Sequence, residues 1–236
     1  QNGGNIYLLE NIRLFPGEES ADSSERKKFA KELAQLGDVF INDSFADYRK
    51  SASNYDIARE MISYIGPSFL NEIEGLSKLS NAAKPFTAVL GGAKLSEKIE
   101  LISSIASIAD TVLIGGAMAY TFLKASGIEV GKSLVEESKI EDAKRIFQKY
   151  RQKIILPLDH KYLLNFSQFE EPIESRDSSL NYNQIGIDIG PQTIKKFEQV
   201  IADSKTVLWN GPMGIFEWPN AKEGTQKIVN AINNNK

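Results

Sequence analysis

Two lysines four residues apart, Lys94 and Lys98, follow the apolar run Phe86-Thr-Ala-Val-Leu90 and the pair Gly91-Gly92. The spacing predicts that both ammonium groups share one face of a helix's first turn. Two cations there repel each other and gain nothing from the helix dipole, an arrangement that suits a bound polyphosphate. Two further apolar runs end alike: Thr111-Val-Leu-Ile114 leads into Gly115-Gly116-Ala117, and Thr206-Val-Leu-Trp209 into Asn210-Gly211-Pro212-Met213-Gly214. Glycines at such ends let backbone N–H groups approach an anion closely. In an open α/β sheet ligands bind beyond the carboxyl ends of the strands. The three ends are therefore expected to converge on the principal ligand-sized cleft. No GxxxxGK[ST] sequence is present and no GxGxxG follows a strand, which disfavours a P-loop or dinucleotide site.

Other candidates carry less. Arg13, Arg49 and Lys50 lie near strand ends in the first part of the chain and suit an anion site. Glu18-Glu19 follow Pro16-Gly17 and read as a solvated turn, and Asn42-Asp43 close a strand as a cap or turn. His160, beside Asp159, reads as a surface loop residue rather than a base. The sequence has no cysteine, which excludes disulfides, thiolate nucleophiles and cysteine-bound zinc and fits a reducing compartment. One histidine rules out a multi-histidine metal site, and a formal net charge of -3 offers no basic face for nucleic acid.

The elements that must position these residues are short apolar runs alternating with helical patterns. Strands are expected at Ile6–Leu9, Val39–Ile41, Phe86–Leu90, Thr111–Ile114, Ile154–Leu156 and Thr206–Trp209, apolar on both faces as a covered parallel sheet requires. Helices are expected at Glu25–Leu36, Ser96–Ala109, Ala117–Ser126 and Glu136–Tyr150. Such alternation implies βα units. Tyr64–Ala83 breaks the rhythm: Ser68–Ser80 reads as a helix without a strand of its own, a natural connector between two domains. Asn165–Asn183 reads as a polar surface excursion. With 236 residues, 42% of them hydrophobic, the chain is short for two full α/β domains. Its apolar stretches fall well below the ~20 residues a membrane helix needs. It lacks an initiator Met and is expected to begin inside a longer reading frame.

Several segments together resemble phosphoglycerate kinase. Leu8-Leu-Glu-Asn-Ile-Arg13 with Pro16-Gly-Glu-Glu19 is similar to that family's LLENVRF…PGEE stretch, and Asp38-Val-Phe-Ile-Asn-Asp-Ser-Phe45 to its DVYVNDAF. Leu90-Gly-Gly-Ala-Lys-Leu-Ser-Glu-Lys-Ile99 resembles LGGAKVSDKI, and matches continue in order through Gly115-Gly116, Gly131–Glu137, Gly186–Pro191 and Trp209–Glu217.

The resemblance implies an α/β fold: two Rossmann-like three-layer αβα domains with parallel sheets joined by a helical hinge, the first incomplete. Residues 1–63 would belong to the triose-substrate domain, 64–84 to the interdomain helix and 85–236 to the nucleotide domain. The implied reaction moves a phosphoryl group between 1,3-bisphosphoglycerate and ADP, giving 3-phosphoglycerate and ATP in glycolysis. Lys98 and Lys94 would be the catalytic cations, and Arg13 and Arg49 would hold the triose's anionic groups. Gly91, Gly92, Lys94, Lys98, Gly115, Gly116, Gly186, Asn210, Gly211 and Glu217 would bind nucleotide, Glu217 through the ribose hydroxyls. Mg2+ would arrive with ATP or ADP, with no protein metal site. A cytoplasmic monomer without nucleic-acid or membrane partners is implied. The family's Asp-x-Asn, catalytic arginine, HxGR and GGGD segments have no counterpart, and HRAHAS becomes Tyr48-Arg-Lys-Ser-Ala-Ser53. Turnover by these 236 residues alone is accordingly expected to be below background. The alternative reading is a non-catalytic relative that binds nucleotide or a partner protein.

Overall fold

The structure, a computed structural model, describes residues 4–235. The chain divides into two compact units, Gln1–Asn81 and Ala82–Lys236.

The first unit opens with an irregular stretch and a 3-10 turn at Ile12–Leu14, then places α1 (Ser23–Ala34), β1 (Phe40–Asn42), α2 (Ser53–Glu60), β2 (Ser63–Ile65) and α3 (Pro67–Ser77). Strands β1 and β2 pair in parallel, Ile41 opposite Tyr64, so β1-α2-β2 is one crossover unit. Helix α1 starts where Asp22 accepts from the Ser24 amide at 2.8 Å, an N-cap that satisfies one orphan donor. Two expectations fail here. Ile6–Leu9 is not a strand, and Ile6 and Leu8 are both 98% exposed; no described strand lies beside it to complete its backbone hydrogen bonds. Tyr64 does belong to a strand, β2, which precedes the α3 helix.

The second unit is built from β3 (Phe86–Leu90), α4 (Ile99–Ile108), β4 (Thr111–Ile114), α5 (Met118–Ala125), α6 (Ile140–Lys149), β5 (Ile154–Ile155), β6 (His160–Leu163), β7 (Ile173–Glu174), β8 (Ile185–Ile189), α7 (Pro191–Ala202), β9 (Thr206–Asn210) and α8 (Glu223–Asn234). Its main sheet is parallel throughout, in the order β5-β4-β3-β9. Strand β3 is buried along its whole length, as a central strand covered on both faces requires. Val89 and Leu113 of this sheet pack with Ile194, Phe197 and Ile201 of α7 and Ile228 of α8 in one apolar cluster. The mixed α/β architecture with parallel sheets is the one expected. A three-stranded antiparallel sheet, β7-β6-β8, was not. It uses only Ile173–Glu174 of the polar segment 165–183, a pair too short to show a period, and Leu163 and Ile187 of this sheet are buried with Ala221.

Candidate functional site

Because β4, β3 and β9 are adjacent and parallel, their carboxyl ends lie side by side, and the three glycine-bearing segments interlock there. The Gly91 amide donates to Asn210 O at 2.9 Å and the Gly92 amide to Pro212 O at 2.8 Å. The Gly115 amide donates to Leu90 O at 2.8 Å, and that of Gly116 to Met213 O at 3.0 Å. These amides are committed to neighbouring strand ends and loops, so the glycines do not present free N–H groups to a ligand as their spacing suggests. Their use is close approach. Gly116 sits at φ +67°, and a Cβ there would strike the Gly92 backbone. A Cβ on Gly91 would fall on the Pro212 carbonyl oxygen, and one on Gly211 on that of Gly91.

Lys98 ties two of these segments together. Its Nζ donates to Gly91 O at 2.7 Å and to Asn210 Oδ1 at 2.6 Å. Partial burial lowers its pKa from the usual lysine value, since desolvation disfavours the charged form. Lys94 is placed differently. Helix α4 begins only at Ile99, so Lys98 is its N-cap and Lys94 lies in the loop before it. The expected shared helical face does not form; Lys94 is exposed and pairs with Glu97 at 3.1 Å. The loop is anchored instead by Glu136, which accepts from the Ser96 amide at 3.0 Å and the Ser96 hydroxyl at 2.6 Å.

Beside the interlocked loops opens a cleft of about 270 Å³ lined by Gly92, Gly116, Gly186 and Glu217 among mainly apolar residues that include Leu134, Phe166, Ile187, Met213 and Ile215. Gly186 is required there: a Cβ would overlap the Tyr120 hydroxyl. Tyr120 is buried against His160, ring centroids 5.1 Å apart, and burial pushes its phenol pKa up. Phe166 packs at a tilt against Trp218, ring centroids 4.7 Å apart. Sequence reasoning missed Tyr120, Leu134 and Phe166; the signal for Phe166 was a bulky aromatic in an otherwise polar stretch. Gly91, Gly115, Lys94, Lys98, Asn210 and Gly211 do not line this cleft and stand behind or beside it. An apolar slot with a carboxylate at its rim fits a flat, weakly polar ring bearing hydroxyl groups.

A larger cleft, about 470 Å³, lies in the first unit between the 3-10 turn, β1 and the loop before α2. The glycine-rich cleft is therefore not the larger of the two. This one is lined by Arg13, Arg49, Glu18, Glu19, Asn42, Asp43, Asp47 and Asn54. Arg13 donates to Asp47 at 2.5 Å and lies 3.8 Å from Glu19, while Arg49 pairs with the same Glu19 oxygen. Asn42 is 7% exposed and its Nδ2 donor has no partner, an orphan of the kind a ligand acceptor satisfies. Glu18 departs from the solvated turn expected: it is buried and accepts from the Ser53 hydroxyl. Asp43 does cap, accepting from the Phe69 amide of α3 at 3.0 Å.

His160 also departs from expectation. It begins β6, is 1% exposed, and its Nε2 faces Ser178 O at 3.1 Å. Burial lowers its pKa to about 4, which keeps the ring neutral. Among the described residues no group of three or more His, Asp or Glu is placed to hold a metal ion, and no helix is long and apolar enough to cross a membrane.

Comparison with known proteins gives the family of the chain. Residues 1–236 match the family profile described as phosphoglycerate kinase. The chain is 41% identical over 234 residues to the phosphoglycerate kinase of Corynebacterium efficiens, covering 97% of this chain and 58% of that protein. It is 42% identical over 234 residues to that of Rhodococcus erythropolis, with the same coverage. The solved phosphoglycerate kinase of Coxiella burnetii superposes with a TM-score of 0.77 at 31% identity, over 94% of this chain and 58% of the other. The chain thus spans a little over half the length of the relatives it matches. The chain belongs to the phosphoglycerate kinase family.

Proposed function

We propose that this chain carries the nucleotide cleft and part of the triose site for reversible phosphoryl transfer between 1,3-bisphosphoglycerate and ADP, which gives 3-phosphoglycerate and ATP in glycolysis. The observation that carries the reading is Lys98, held between Gly91 O and Asn210 Oδ1 where three strand ends meet. An ammonium group resting on two neutral acceptors exchanges them for phosphate oxygens with a gain in charge-assisted bonding. In this reading residues 85–236 bind nucleotide, with the base in the apolar cleft and Glu217 on the ribose hydroxyls. Gly92, Gly116 and Gly186 give the base room; Gly91, Gly115, Asn210 and Gly211 hold the floor; Lys94 adds exposed positive charge nearby. Residues 1–63 offer Arg13 and Arg49 to the triose's anionic groups, and 64–84 link the two parts.

Phosphoryl transfer asks a protein for positioning and charge neutralisation more than covalent help. Magnesium would arrive with the nucleotide substrate, since it usually binds through substrate phosphates, waters and one or two carboxylates. We place the protein in the cytoplasm, as a monomer with small-molecule partners.

A second reading, a relative that binds nucleotide without turning over triose, is favoured by the state of the arginines. Glu19 and Asp47 already engage Arg13 and Arg49, and Tyr48, Lys50 and Ser51 stand in the segment where the resembled motif is HRAHAS. Separate calorimetric titrations with MgADP and 3-phosphoglycerate distinguish the two. Binding of both supports the first reading, binding of MgADP alone the second, and binding of neither contradicts both.

A further inference from the structure

Among the described residues, three helices are capped by a carboxylate from a distant element. Asp43 caps α3, Asp159 accepts from the Gln192 and Thr193 amides of α7 at 2.9 and 2.8 Å, and Asp188 caps α8. The last differs in what hangs on it. Asp188, on β8, is 2% exposed; its Oδ2 accepts from the Gly224 amide at 2.7 Å and its Oδ1 from the Ile189 amide at 2.9 Å. Lys222, the residue at the helix boundary, gives α8 no side-chain cap. The same carboxylate fills the space a Cβ would need on either Gly214 or Gly224. One residue further, the Thr225 hydroxyl accepts from the Met213 amide at 3.0 Å. Met213 O and Pro212 O in turn receive the Gly116 and Gly92 amides. Hydrogen bonds joined by short backbone links therefore connect Asp188, through the start of α8, to Gly92 and Gly116, which line the cleft.

We propose that Asp188 is a positioning residue of the cleft: its ionised carboxylate fixes the start of α8 and, through Thr225, the segment 211–217, and proton uptake by Asp188 loosens that segment. The proposal rests on the nucleotide reading only for what the cleft binds; the loop motion stands apart from it. Ionised, both oxygens accept N–H bonds and the charge is favoured by the helix dipole. Protonated, one oxygen carries a hydrogen and is a poorer partner for the amide it faces. The groups facing Asp188 are Lys161, its cross-strand partner on β6, Glu223 on α8, which pairs with Lys161, and the Tyr120 phenol on α5. Burial outweighs the two amides and Lys161 and raises the Asp188 pKa to about 7, Glu223 adding to the rise. Asp43, by contrast, is lowered, chiefly by the Phe69 amide. Ionising a buried carboxyl opposes folding, so cleft order above neutrality comes at the expense of global stability.

The chain's two tryptophans, Trp209 and Trp218, flank this segment, so tryptophan emission reads it directly. In the nucleotide-free protein titrated from about pH 5.5 to 8.5, emission is expected to follow one reversible step centred near pH 7, the value burial gives Asp188. Asp188→Asn should be flat over the range, and Thr225→Val should lose most of the step while keeping the circular dichroism of the parent. A flat parent, or the parent's step persisting in Asp188→Asn, overturns the proposal. Should Asp188→Asn fail to fold, Thr225→Val decides: a full step there breaks the coupling. Because no nucleotide is present, failure here leaves the nucleotide reading untouched, and failure of ADP to bind leaves this result standing.

Discussion

Lys98 and Asn210 lie 112 positions apart in the sequence and meet through a 2.6 Å hydrogen bond from Nζ to Oδ1. That bond joins the loop after β3 to the end of β9 and aims the ammonium group across the strand ends. Asn210→Ala leaves Nζ with Gly91 O as its remaining strong acceptor. Lys98 is only partly buried, so the expected loss is about 1 kcal/mol, read as a lowered midpoint in urea denaturation with an unchanged slope.

Gly116 and Gly127 both have positive φ, +67° and +81°, but differ in surroundings. A Cβ on Gly116 meets the Gly92 backbone, whereas Gly127 has nothing within 4 Å. Gly127→Ala should therefore incur backbone strain alone, about 1 kcal/mol. Gly116→Ala adds a clash that a backbone must move to relieve, and should exceed about 2 kcal/mol. Parallel denaturation curves check the order.

His160 sets part of the acid limit. Its folded pKa, lowered to about 4 by burial, lies below the unfolded 6.5. The unfolded chain therefore takes up the proton first, and stability falls as pH drops from 6.5 toward 4. The full difference is on the order of 3 kcal/mol. His160→Gln keeps a donor for Ser178 O without that titration, so the gap between parent and variant should close or reverse on acidification. Asp188 acts with the opposite sign across this range, so the comparison is made between parent and variant at each pH.

Glu19 shares one oxygen between Arg13 and Arg49, standing where an anionic ligand would sit. Glu19→Gln should bind 3-phosphoglycerate more tightly than the parent by calorimetry, and Arg49→Ala more weakly. Unchanged affinity in both variants would remove this cleft from the triose site.

The parallel sheet was legible because each of β3, β4 and β9 is a short apolar run closed by glycine, and a run buried on both faces has little else to be. The antiparallel strands were not, since β7 is two residues long and exposed and β6 carries Lys161 between buried ends. The convergence of the glycine-bearing strand ends is legible in the sequence, but the use of the glycines is not: spacing reveals a strand end but not whether its amides face a ligand or another segment. The remote caps Asp43, Asp159 and Asp188 leave no local sequence signal, because each serves a helix that starts 24 or more positions later in the chain. The burial of His160 leaves no local signal for a related reason, since Tyr120, 40 positions earlier in the sequence, packs against its ring.

In the proposed function the phosphates of a bound nucleotide meet Lys98 at the interlocked strand ends. Calorimetric titration of MgADP into the parent chain, Lys98→Ala and Lys94→Ala tests it directly. Saturable binding by the parent is expected, weakened about tenfold or more by Lys98→Ala, as loss of a charge-assisted bond requires. Lys94→Ala should lose less, since its ammonium group lies in the loop paired with Glu97. Equal affinity in the parent and Lys98→Ala, or no binding to any of the three, would contradict it.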